Sequence, residues 1–265
     1  MGQLVQSGWF KPGKSNWLRS SVAGVALTAI LVVASSGAEP DVAATQGADG
    51  AKTVTICIKS VKPDVPPEGG VLSYGLTRKD FQRIVETIPA IRKAIPVREI
   101  EQNVRYGDGL VDARLIGTTP QLAEIDTIRI ARGRFLSDKD LRQRENVAVI
   151  GHALALQLFD RKDPIGKSIR IGENYFLVVG QIRQADATST SADLDVYVPL
   201  STMRSRMGDV TIYRRSGAIE AEKVELSRVE IVPDDPARAE TVVGLIRRVL
   251  QDMHEQQDYS VEIVR

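Results

Sequence analysis

Cysteine, histidine and aromatic side chains are the scarcest commodities of this 265-residue chain, and each shortage excludes something. A single Cys57 supports no disulfide framework, and with only His152 and His254 there is no Cys/His cluster for a structural zinc site. Aromatics make up 5% of the residues, so a core has to be assembled from the Val, Ile, Leu and Ala that dominate the 43% apolar content. An excess of one charge is missing too. Lys and Arg total 35 against 34 Asp and Glu, which argues against a nucleic-acid partner, because that needs a concentrated basic field. The length exceeds that of a usual single domain, so one large or two small domains are expected.

The charge balance is uneven along the chain. Residues 1–38 hold Lys11, Lys14 and Arg19 and no acid, which leaves 32 bases against 34 acids beyond them. From Ser20 to Ala38 the run SSVAGVALTAILVVASSGA carries no charge and is followed by Glu39 and Asp41. Its most apolar part, 22–34, has the length of a signal-peptide core, and the flanking small residues bring it near the roughly 20 residues that span a bilayer. Trp9, Phe10 and Trp17 suit a membrane surface. The expectation is a transmembrane anchor at 20–38 with 1–19 in the cytoplasm. The alternative is a signal cleaved after Ser36-Gly37-Ala38. Either way the bases stay inside and residues 39–265 are exported, to the periplasmic side of a single-pass inner (cytoplasmic) membrane protein.

Residues 39–51 have almost nothing to bury and read as a linker. A strand is predicted at about 52–61, where alternation puts Val54, Ile56 and Ile58 on one face and leaves Cys57 half covered on the other. Thr77-x-x-Asp80 marks a helix start, followed by the stripe Phe81, Ile84, Val85 and Ile88 and the stop at Pro89. Gly107-Asp108-Gly109 joins strands 95–106 and 110–118, and Gly172-Glu173-Asn174 joins 167–171 and 175–182. Short helices are predicted at 120–125, after Ser137 and at 152–159, and strands at 127–132, 146–151, 196–200, 209–215 and 224–232. A last helix runs from Asp235 or Pro236 to about His254, with Val242, Leu245, Ile246, Val249, Leu250 and Met253 inward, and 259–264 closes as a strand. The fold class is α+β, with mixed, mostly antiparallel sheets, two lobes and one preceding membrane helix.

The search for chemistry yields no catalytic, cofactor-binding or metal residues. Gly166-Lys167-Ser168 ends like a phosphate loop, but Arg161 stands where the first glycine belongs and Pro164 offers no N–H, so a turn into a strand is the reading. His152 follows a strand with no nucleophile elbow nearby, and His254 sits at a helix terminus, where a cation gains from the dipole. Asp138, Asp140, Asp234 and Asp235 mark helix starts, and Asp186, Asp193 and Asp195 read as solvated acids of the polar loop 184–195.

Over 117–199 an ordered set of short pieces resembles the periplasmic core domain of MacB-type transport proteins, in the FtsX-like permease superfamily. The pieces are Gly117-Thr118-Thr119-Pro120, Gly133-Arg134-Phe135, Asp140 and Val147-Ala148-Val149-Ile150-Gly151. They continue through Leu158-Phe159, Asp163-Pro164-Ile165-Gly166-Lys167, Ile169-Arg170-Ile171-Gly172, Phe176 and Val178-Val179-Gly180 to Asp195-Val196-Tyr197-Val198-Pro199. The resemblance implies a MacB-like core over 52–265, with a membrane-proximal lobe at about 52–110 and 205–265 and a distal lobe at about 111–204. It implies structural jobs for Gly151, Gly166 and Gly172, for Phe135, Phe159 and Phe176 as core fillers, and for Asp163 at a turn. It further implies partners: a MacB- or FtsX-like permease, its ATPase or a periplasmic adaptor, contacted without catalysis. Such permeases carry further membrane helices beyond this domain and are driven by an ATPase, and the present sequence contains neither later apolar runs nor an ATP-binding motif. A fragment of a split or degenerate FtsX-like permease, or an exported ligand-binding protein, are the alternative readings.

Overall fold

Local signals account for most of the elements. A computed structural model of the chain describes residues 54–63, 70–126, 128–184, 192–215 and 218–264, so the expected anchor at 20–38 and linker at 39–51 lie outside the described residues. Strands β1 (Thr55–Ser60) and β2 (Val71–Ser73) precede helix α1 (Arg78–Thr87). Thr77 opens α1 with the predicted capping box: its hydroxyl accepts from the Asp80 N–H, and its own N–H donates to the Asp80 carboxylate. Ile84 and Ile88 are buried and Phe81 half buried, but Val85 is exposed, so the inner stripe is narrower than predicted.

The long hairpin is β3 (Ile91–Tyr106) and β4 (Gly109–Thr118), followed by α2 (Leu122–Ile125) and β5 (Ile130–Gly133). Helix α3 (Asp138–Gln143) repeats the capping box with Ser137 and Asp140. Then come β6 (Val147–Ile150), α4 (His152–Phe159), β7 (Ser168–Ile171), β8 (Asn174–Ile182) and β9 (Val196–Pro199). Helix α5 (Leu200–Met207) runs straight on from β9, and β10 (Val210–Arg215), β11 (Ala218–Lys223) and β12 (Arg228–Pro233) follow. Helix α6 (Ala239–Gln251) and β13 (Tyr259–Val264) complete the described chain.

Two sheets hold these strands. In the large one the order is β13-β1-β12-β3-β4-β9-β6-β8-β5, and β7 bridges β3 and β8. The bridge makes β3, β4, β9, β6, β8 and β7 a closed ring, a small barrel whose inward side chains form one cluster that includes Ile100, Leu115, Ile150, Phe176, Val178 and Val198. Leu154, Leu158 and Phe159 of α4 and Met203 of α5 complete that cluster. The remaining strands, β13, β1 and β12, continue as an open sheet beside the first half of β3, with α1 and α6 burying one face through Ile56, Ile58, Ile84, Ile231, Val242 and Ile246. A third cluster lies outside the barrel, where Leu122 and Leu136 cover Ile116, Val149 and Tyr197. The small sheet is β10-β11-β2. Pairs β4–β9, β6–β8 and β11–β2 are parallel and the other described pairs antiparallel, which is the mixed, mostly antiparallel α+β class.

Strand β3 is shared between the two parts. Residues 91–97 pair with β12 and residues 98–106 with β4. It starts four residues before the predicted 95, because pairing with β12 extends it through Ala94 and Pro96. The strand predicted at 224–232 is β12, which starts four residues later at Arg228 because a turn takes up 224–227, while β11, ending at Lys223, was not predicted. Helix α5 was not predicted, since only Thr202 and Met203 of it are buried and no stripe repeats. Helix α6 ends at Gln251 rather than near His254, and Leu245 and Met253 are exposed instead of inward. Strand β5 begins at Ile130, three residues later than predicted, while Thr127 lies outside the described residues. Cys57 is buried, not half covered, because β12 and β13 flank it and set Glu230 and Glu262 opposite.

Candidate functional site

Arg98 stands where β3 passes from the open sheet into the barrel. It is 2% exposed, and its guanidinium donates to the Gly208 carbonyl and, at 3.3 Å, to Asp209 Oδ1. Arg78 at the start of α1 grips the same Asp209 carboxylate, Nη2 to Oδ1 at 2.5 Å and Nη1 to Oδ2 at 3.1 Å, and reaches Glu225 Oε2 at 2.9 Å. Burial works against ionisation of Asp209, but the Arg78 hydrogen bonds and the charges of Arg78 and Arg98 win and hold its carboxyl below the usual range. This network ties α1, β3 and the turn before β10 together. No expectation from the sequence covered it, although Arg98 shares the inward parity of Ile100 and Val104 and could have been found by that signal.

On the outer surface of the barrel, Asp195 is 1% exposed and takes a two-pronged bond from Arg114, Nε at 2.9 Å and Nη2 at 2.7 Å, with the Tyr197 hydroxyl donating at 3.3 Å. Burial, then the negative charge of Asp195, pushes the Tyr197 phenol up. Asp126, at the end of α2, is solvent-exposed. Its carboxyl is nonetheless raised to about 7, by loss of water first and then by the negative charges of Glu230 and Asp195, with solvent screening part of this. Arg228 donates to Glu230 Oε1 at 2.6 Å and pairs with Glu99, so the belt alternates in sign.

A cleft of about 750 Å³ opens beside the start of α1, lined by Leu72 to Thr77, Lys79, Asp80, Lys223, Glu225 and the segment from Met253 to Asp258. In its wall, His254 is clasped by two carboxylates, Nδ1 2.7 Å from Asp258 Oδ1 and Nε2 3.1 Å from Asp80 Oδ2. The backbone N–H of His254 bonds the Leu250 carbonyl, which places the ring three residues beyond the end of α6 at Gln251. One partner, Asp258, lies four residues on, but the other, Asp80, is brought from 174 residues away, which no local pattern announces.

The other sequence candidates fall out as follows. Gly166-Lys167-Ser168 is a turn entering β7: Gly166 has φ +76 and Lys167 N–H bonds the Pro164 carbonyl. Asp163 accepts from the Ile165 N–H at 3.0 Å, the turn role expected of it. His152 is the first residue of α4. Asp140 caps α3 and also takes both terminal nitrogens of Arg134, Asp138 sits in the first turn of α3, and Asp235 caps the turn before α6. Asp234 accepts from the Asp235 N–H. Asp195 departs from the solvated-loop reading because Arg114 lets the chain bury it, Asp193 lies in a short 3₁₀ turn, and Asp186 is outside the described residues. Phe159 and Phe176 are buried core fillers, and Phe135 is half buried against Tyr197. Gly172 needs its positive φ, whereas Gly151 sits in extended backbone before α4. Among the described residues no group of three or more His, Cys, Asp or Glu converges to hold a metal ion, and no helix is long and apolar enough to cross a membrane.

The bonding of these groups to one another sets the context for comparison with known proteins. The chain matches the MacB-like periplasmic core domain over residues 21–249. It belongs to that family. Among curated relatives, it is 28% identical over 188 residues to the pyoverdine export ATP-binding/permease protein PvdT of Pseudomonas aeruginosa, covering 70% of this chain and 27% of that protein. It is 29% identical over 181 residues to the macrolide export ATP-binding/permease protein MacB of Syntrophobacter fumaroxidans, covering 66% of this chain and 24% of that one. The MacB-like chain thus spans about a quarter of the length of these two relatives. Its fold matches the extracellular domain of the noncanonic ABC-type transporter YknZ from Gram-positive bacteria with a TM-score of 0.61 at 18% identity, covering 78% of this chain and 99% of that one. It also matches the periplasmic region of MacB from Actinobacillus actinomycetemcomitans with a TM-score of 0.60 at 17% identity, covering 78% and 87%.

Proposed function

We propose that residues 52–265 form an extracytoplasmic domain that works by contact with other proteins and carries out no catalysis. It would be held at the inner membrane by a single pass at 20–38 and would associate with an ABC-type export or mechanotransmission system of the MacB kind. The observation that carries the reading is the match to a periplasmic core domain along residues 21–249. The side-chain chemistry agrees with it. Arg98 with Asp209, Arg114 with Asp195 and Arg134 with Asp140 form fold-holding pairs, the use that also explains why the Asp209 and Asp140 carboxyls are held below the usual range.

Two lobes follow in the same reading, a membrane-proximal one at about 52–110 with 205–265 and a distal one at about 111–204. Support comes from the strand directions. Thr55 of β1 lies opposite Val264 of β13, so the chain arrives and leaves at the same end of the open sheet. From that end β3 runs outward through its 16 residues, roughly 50 Å of strand, into the barrel. The barrel would then be the part held away from the bilayer.

The expected partners are a MacB- or FtsX-like permease, its ATPase or a periplasmic adaptor. Affinity purification of the tagged full chain from native membranes is expected to recover at least one of them. Recovery of none, with the bait intact in the membrane fraction, would refute the reading.

A further inference from the structure

We infer that His254 is a proton-gated latch that fastens residues 252–258 and the start of β13 to the start of α1. The imidazole has a carboxylate oxygen at each ring nitrogen, Asp258 Oδ1 at 2.7 Å and Asp80 Oδ2 at 3.1 Å. A neutral imidazole carries one N–H, so it donates to one carboxylate and turns a ring lone pair on the other. The doubly protonated ring donates to both.

Neither carboxylate is free to turn away. Asp80 Oδ2 also accepts from the N–H and the hydroxyl of Thr77, and Asp258 Oδ2 accepts from the Gly75 N–H at 2.5 Å. The side chains of His254, Asp80 and Asp258 are 8%, 3% and 15% exposed, so bulk water does little to relieve two acceptors left face to face. The groups that touch the ring are Asp80 from α1, Asp258 from its own segment and the Tyr259 ring of β13, edge-on with centroids 5.3 Å apart. Farther round the cleft stand Lys79, Lys223, Glu225 and Glu255.

When the ring gives up its proton, one of the two contacts turns repulsive. Residues 252–258 then loosen from 74–80 and the 750 Å³ cleft between them widens. Only the doubly protonated ring can donate to both carboxylates, so the second bond of the latch is present while the ring is protonated and is lost as pH rises and the ring gives up that proton. The latch stands on these residues alone and does not depend on the docking proposed above.

Amide hydrogen exchange on the full-length chain in detergent tests it, compared between about pH 5.5 and about pH 8 after allowance for intrinsic exchange chemistry. Opening of 74–80 and 253–260 is expected to become about tenfold more frequent at the higher pH, while the barrel amides of β7 stay unchanged. The rise is expected to vanish in His254→Gln and to shrink in Asp258→Asn, whose side-chain amide can face either ring form. A wild type with no rise, or a rise of equal size in His254→Gln, overturns the latch. Should His254→Gln fail to fold, the ring resonance of wild-type His254 decides. Titration in step with the opening supports the latch, and a single protonation state throughout the range overturns it.

Discussion

Gly133 and Gly180 lie opposite each other on β5 and β8, and a methyl group at either would strike main chain. A Cβ on Gly180 would stand 2.0 Å from the Arg134 carbonyl oxygen, and one on Gly133 2.2 Å from that of Val179. Backbone cannot swing aside as a flexible side chain can, so Gly180→Ala is expected to lower stability by about 2–3 kcal/mol in urea denaturation. Gly244 is the counter-case, exposed inside α6 with nothing within 4 Å, and Gly244→Ala should raise stability by about 0.5–1 kcal/mol in the same assay. Acids at this scale act with opposite signs. Asp209 and Asp140 are held below their usual range, so what they contribute is present above about 3.8 and fades as pH falls through their folded values. Asp126 is raised from 3.8 to about 7, so the folded state holds its proton longer than the unfolded chain and stability declines as pH rises across that interval. Asp126→Asn is expected to flatten the decline in denaturation midpoints measured across it. An unchanged slope would show that solvent at its exposed edge screens the neighbouring charges almost completely.

At the scale of elements, what was legible in the sequence was what is local. The capping boxes of α1 and α3 need only Thr77 with Asp80 and Ser137 with Asp140, and both hairpins need only their turn residues, so all four were readable. Helix α5 was not, because only Thr202 and Met203 of it are buried and no stripe repeats. The barrel was not readable either, since its closure hangs on two cross-strand pairs, Val104 with Ile171 and Arg105 with Arg170, from segments far apart in sequence. The stripe of α6 was read too broadly, and this can be measured. Ile246 is buried against the open sheet, and Ile246→Ala is expected to cost about 2–5 kcal/mol. Leu245, counted inward by its spacing, is exposed, and Leu245→Ala should change stability by no more than about 0.5 kcal/mol. Equal losses from the two would restore the broader stripe. The charged sites follow the same rule: Arg98 was not singled out although its parity with Ile100 and Val104 was there to read, while the contact of His254 with Asp80 and the shielding of Asp195 depend on partners that only the tertiary fold supplies.

For the whole molecule the question is whether the open sheet and the barrel are separable. Their cores are distinct clusters, yet β3 contributes residues 91–97 to one sheet region and 98–106 to the other. Residues 50–265 also form one compact unit. Melting the barrel would free half of β3, together with Arg98 and therefore the Asp209 carboxylate that holds Arg78 on α1. Losing a buried guanidinium from such a network costs about 3–5 kcal/mol because it leaves the partner carboxylate under-compensated. That exceeds what most single core contacts contribute, so the two parts are expected to unfold together. Hydrogen exchange gives the test: the Ile58 amide of the open sheet and the Val178 amide of the barrel should open with the same free energy, and Arg98→Met should lower both equally. If Arg98→Met weakens only the open sheet and leaves Val178 protected, the shared strand is a hinge between independent bodies, and the barrel can move as a unit on the part built from β1, β12 and β13.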